Sequence, residues 1–79
     1  MIFLIEYNRK EGQMVIFKRF KDSDRTKAEA ERLDLELKLN RTKVKHEVVI
    51  LEALNLRLVK RTHRRYFESI SDLAKFTRN

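Results

Sequence analysis

The sequence has no cysteine, no proline, no tryptophan and a single glycine. Without cysteine there is no disulfide, no thiolate metal site and no thiol nucleophile. With no proline and only Gly12, there is no flexible linker and no glycine-rich loop to cradle a phosphate. No apolar run is long enough for a bilayer span: Met1-Ile2-Phe3-Leu4-Ile5 stops at Glu6 and has no basic leader. These absences predict a cytoplasmic protein. The serines Ser23, Ser69 and Ser71 sit in no Gly-x-Ser-x-Gly elbow, and two or three of them read as helix caps. His46 and His63 are the only histidines, and neither has a partner at metal-ligand spacing. No catalytic residue, metal or cofactor is therefore assigned.

The 79 residues make one small domain spanning 1–79. A domain of this length hides a small share of its surface, so packing or a partner chain has to replace the missing staples. The net charge is +7 and is unevenly spread. Residues 1–42 hold 10 basic and 8 acidic side chains, whereas 43–79 hold 9 and 4. A localised positive field attracts an anionic partner where a diffuse one mainly aids solubility.

Residues 2–8 and 14–20 are rich in β-branched and aromatic side chains and read as strands. Gly12 supplies the positive φ that a short hairpin loop between them needs. Ser23 or Asp24 is placed to cap a helix over 25–41. The pairs Arg25–Glu29, Lys27–Glu31, Arg32–Glu36 and Asp34–Lys38 are each four apart, as neighbours on a helix are. Leu33, Leu35, Leu37 and Leu39 alternate as a strand would, but Ala, Glu, Lys, Arg and Leu dominate the segment and favour helix. On that helix Ala30, Leu33 and Leu37 form one stripe, and Ala28, Leu35 and Leu39 lie nearly opposite. Residues 47–53 form a third strand with a continuous apolar run, Val48 to Leu51, that calls for cover on both faces. Leu54, Leu56 and Leu58 fit a strand extension. The spacing of Asn55, Val59, Thr62, His63, Tyr66, Ile70, Leu73 and Ala74 is helical and predicts a second helix over about 55–67, and Ser69-Ile70-Ser71-Asp72 resembles a capping box at which either a last short helix begins or the helix kinks.

The predicted fold is α+β, in the order β-β-α-β-α. The first strand is central and antiparallel to both others in a three-stranded sheet, and the helices pack on one face. The opposite face and the second leucine stripe are left without cover, so homodimerisation is expected, sheet to sheet or through those leucines. The alternative is that the C-terminal segment wraps over the remaining face.

His46-Glu47-Val48-Val49-Ile50-Leu51-Glu52-Ala53, followed by Thr62-His63-Arg64-Arg65-Tyr66-Phe67, resembles small bacterial proteins without an assigned activity. That resemblance implies a compact β-β-α-β-α unit in a bacterial cytoplasm and lends no substrate or site residue.

Arg57, Lys60, Arg61, Arg64 and Arg65 are five cations with no acid between Glu52 and Glu68. On a helix they oppose the apolar arc of Val59, Thr62, Tyr66 and Ile70, and such a face suits a phosphate backbone. Lys43, Lys45 and His46 extend the patch if the fold brings them near. The same pattern also describes a solvated face whose long stems lie over the core edge, and no recognition motif accompanies it. Tyr66 is expected in the core, His63 at its edge and His46 exposed. Glu47 and Glu52, five apart on a strand, face opposite sides. Three functions follow from the residues. The leading one is a non-enzymatic, homodimeric interaction protein acting through protein contacts. The second is nucleic-acid binding through the basic helix face. The third is a small enzyme using His63 across a dimer cleft. No membrane role is expected.

Overall fold

The computed structural model describes residues 1–68. Strands β1 (Ile2–Asn8) and β2 (Gln13–Phe20) form the expected hairpin. Gly12 takes φ 63°, and the Asn8 side-chain oxygen accepts from the Glu11 N–H at 3.1 Å. Strand β3 (Glu47–Glu52) joins the free side of β1, so the sheet order is β2-β1-β3 with β1 antiparallel to both neighbours.

Helix α1 (Arg25–Thr42) connects β2 to β3 and confirms the helical reading of the alternating leucines. A short 3-10 turn, Asp22–Asp24, leads into it. The expected side-chain cap is not made. Asp24 holds the N-cap position with a turn backbone rather than an extended one, and its N–H bonds Lys21 C=O at 2.9 Å. The helix ends on Lys43 at φ 59°; the Lys43 N–H donates to Asn40 C=O and the Val44 N–H to Leu39 C=O. This is the Schellman closure, here without its usual glycine. Helix α2 (Leu56–Thr62) is shorter than expected. The Asn55 side-chain oxygen accepts from the Leu58 N–H at 2.9 Å and caps it. It breaks at His63, and a 3-10 turn, Arg64–Tyr66, follows. The capping box expected at Ser69 to Asp72 falls on residues outside those described.

Successive strand residues point to opposite faces. On one face Ile2 and Leu4 pack with Phe20, Val48, Ile50 and Ala28 of α1. On the other Ile5 and Tyr7 pack with Met14, Phe17, Val49 and Leu51, and Tyr66 and Phe67 cover them. Phe3 is fully buried, stacked on Phe17, which meets Phe67 edge to face. The sequence reading placed both helices on one face. Instead α1 takes one face, and the segment after α2 closes the other. The reason lies in β1, which is apolar at every position from Ile2 to Ile5 and has to be shielded twice. Tyr66 and Phe67 thus cover part of the face expected for sheet-to-sheet dimerisation, where Met14, Phe17, Val49 and Leu51 remain half-buried. The division of α1 into two stripes holds. Ala28 is buried and Leu35 and Leu39 half-buried, whereas Leu33 and Leu37 are 55% and 56% exposed.

Candidate functional site

The basic face is the site the sequence singled out, and its five cations are not equivalent. Arg65 reaches Glu47 at 2.8 Å and the Tyr66 hydroxyl at 2.5 Å, with its guanidinium 4.2 Å from the Tyr66 ring centre. Arg64 pairs with Glu68 at 3.0 Å, one helical turn on. Lys60 lies over the Phe67 ring at 5.9 Å. Arg57 and Arg61 are exposed and make no ion pair within the described residues. Three of the five expected phosphate-binding groups are thus engaged with their own chain.

Arg65 belongs to a cluster at one end of the sheet. Glu47 sits opposite Tyr7 in the ladder, so its carboxylate lies on the face closed by Tyr66. It accepts a short hydrogen bond from the Tyr66 hydroxyl and faces Arg65 and, at 3.7 Å, Arg9. The Tyr66 hydrogen bond, with the Arg65 charge, holds the Glu47 carboxyl below the usual range against the opposing effect of burial. Burial, and then the adjacent carboxylate, push the Tyr66 hydroxyl above its ordinary value. Tyr7 meets Tyr66 edge to face at 5.2 Å. The Glu47 carboxylate, the Tyr66 hydroxyl and the Arg65 guanidinium are all partnered, and together they tie the segment after α2 to the sheet. Glu52, five residues from Glu47, pairs with Arg25 on the α1 side, as the strand alternation predicted.

The α1 face carries a second polar pair. Glu6 is only 6% exposed, and the His46 Nδ1 lies 2.6 Å from its carboxylate. The expectation of an exposed His46 is corrected here: it stands one residue before Glu47 and so points to the α1 side, where Glu6 also points. Glu6 borders a groove of about 480 Å³ between β2 and the second half of α1, lined by Val15, Ile16, Leu35, Leu39 and Val44. His63 is half-buried, its ring centre 6.4 Å from that of Tyr66, and makes no side-chain hydrogen bond or ion pair within the described residues. No set of three metal-ligating side chains converges within the described residues. No helix there is long and apolar enough to cross a membrane.

The sheet edges are the surfaces that sequence reasoning missed. The Ala53 N–H donates to Met1 C=O at 3.1 Å, which fixes the phase of the β1–β3 ladder. Antiparallel pairs alternate between bonded and non-bonded, so Leu51, Val49 and Glu47 bond inward and the N–H and C=O groups of Val48, Ile50 and Glu52 point outward. β2 is an edge too, but Val15 is an extra residue in its ladder with β1, and Lys18 and Arg19 lie along it.

Protein-family models, curated proteins and solved structures were compared with the chain, and none matches it.

Proposed function

We propose that this chain is a small non-enzymatic interaction protein that works as a homodimer through protein contacts. The observation that carries the reading is β3, an edge strand whose four central residues, Val48 to Leu51, are apolar and half-buried. An uncharged edge with open backbone groups is a template for another strand. The exposed Leu33 and Leu37 add apolar surface on the same molecule. The nucleic-acid reading is the weaker of the two, because Lys60, Arg64 and Arg65 are held by Phe67, Glu68, Glu47 and Tyr66.

Light scattering on a sizing column, over a range of concentrations, tests the proposal. A mass of twice the chain at high micromolar concentration supports it. A monomer throughout that range overturns it.

A further inference from the structure

We infer that the partner is a second copy of this chain, added edge to edge along β3, and that a ladder of alternating charges on α1 sets the register. This rests on the homodimer reading and goes further by naming the surface.

The two edges differ in how well they resist pairing. On β2 the Val15 insertion twists the strand and Lys18 and Arg19 charge it, both of which discourage further strands. On β3 the register against β1 runs unbroken from Glu47 to Glu52, with no charge between those ends. The outward groups of Val48, Ile50 and Glu52 have no strand beside them among the described residues. The stripe of Leu33 and Leu37 is a poorer candidate. Two leucines among Glu29, Asp34, Glu36 and Arg41 fall well short of the roughly 1,200–2,000 Å² that a stable interface buries in total.

Antiparallel pairing of β3 with its copy places the two-fold axis normal to the sheet. Each face then continues into the same face of the partner, and the two α1 helices lie on one side, running antiparallel. The flank of α1 that turns toward the copy is identifiable. Glu31 reaches Lys18 of β2 at 2.8 Å, and Arg25 reaches Glu52 of β3. At about 100° per residue the side bearing Arg25 also bears Glu29, Arg32 and Glu36. These alternate in sign, plus, minus, plus, minus. Read backwards the order is inverted, so a copy running the other way sets Arg25 against Glu36 and Glu29 against Arg32.

The ladder is also centred in the right place. Arg25 pairs with Glu52, and because outward residues of β3 can pair only with outward residues, the axis falls at Ile50, with Val48 opposite Glu52, about 7 Å back along the strand at roughly 3.3 Å per residue. At 1.5 Å per residue the same distance is about five residues along α1, which is Ala30. The four-charge ladder has its midpoint between Ala30 and Glu31. One axis therefore serves the strand and the helix together. Exposed pairs of this kind add little energy and much selectivity.

Two double variants test the inference, since all four side chains are exposed or half exposed at the surface. Arg25→Glu with Arg32→Glu makes the flank wholly acidic, and Glu29→Arg with Glu36→Arg makes it wholly basic. Each alone is expected to dissociate at least tenfold more readily than the native chain at low salt. An equimolar mixture is expected to form a heterodimer that regains the native dissociation constant. Hydrogen exchange gives a readout that needs no substitution. The amides of Val48, Ile50 and Glu52 are expected to gain protection as concentration rises. Native dissociation constants in both double variants, or edge amides that exchange at one rate at every concentration, overturn the inference. A native chain that is dimeric with either result leaves the homodimer reading standing. A native chain that is monomeric removes both.

Discussion

Glu6 and His46 stand forty positions apart and meet at 2.6 Å beneath α1. Glu6 is the one buried charged side chain among the described residues, so the imidazole is its only relief from desolvation. Removing one member of such a pair strands the other, whereas removing both does not. His46→Ala is therefore expected to destabilise the fold by about 1–3 kcal/mol. Glu6→Leu with His46→Leu is expected to be near neutral. Urea unfolding of the single and double variants measures the difference.

The Glu47–Tyr66 pair makes stability depend on pH, and the sign is fixed by the two directions of shift. Glu47 titrates lower in the folded chain than in the unfolded one. Its contribution is complete above the ordinary carboxyl range and is lost as pH falls through the lowered folded value. Tyr66 titrates higher when folded, so its contribution is complete below the ordinary phenol range and is lost as pH rises through the raised value. Tyr66→Phe removes the largest cause of the Glu47 shift. Carboxyl NMR titration is expected to show Glu47 moving up toward its ordinary range in that variant, with a smaller loss of stability in acid.

The basic face divides into anchored and free cations. Arg65→Ala removes contacts to Glu47 and both tyrosine rings and is expected to cost about 1–2 kcal/mol. Arg57→Glu with Arg61→Glu, at exposed positions without partners among the described residues, is expected to stay within about 0.5 kcal/mol per substitution. Thermal melts compare the two. If the chain binds nucleic acid at all, Arg57 and Arg61 are the groups whose loss lowers the salt dependence of binding.

The two stripes of α1 give a contrast within one helix. Leu33→Gln with Leu37→Gln is expected to leave stability unchanged, because both side chains already meet water. Leu4→Ala, directly beneath the helix, is expected to cost about 2–5 kcal/mol. Chemical denaturation of the two variants separates surface from core.

Most of the fold was legible in local pattern. Gly12 marked the hairpin, composition overruled the leucine alternation in α1, and the unbroken apolar runs in β1 and β3 announced cover on both faces. The source of that cover was not legible. Periodicity places Tyr66 on an apolar arc but does not say against which face of the sheet it lies, and the break at His63 leaves no Gly or Pro to mark it. The five cations were visible as a cluster. Their partners Glu47, Glu68 and Phe67 were not, because those contacts depend on how the C-terminal segment is laid down. Glu6 with His46 was invisible for the same reason, being a long-range meeting of two residues each unremarkable alone. The open edge of β3 had a signal in its uncharged core, which only the strand order turns into a surface.

The pairing of Ile2 with Glu52 sets a condition on how this chain comes to fold. The central strand leaves the ribosome long before the strand that completes its second side, and longer still before Tyr66 and Phe67 arrive. Until then Phe3 and Ile5 have a hairpin for company and water on the far side. No cooperative unit therefore exists before Glu52 has been made, and a nascent chain halted short of it is expected to present a sticky hairpin to whatever is nearby.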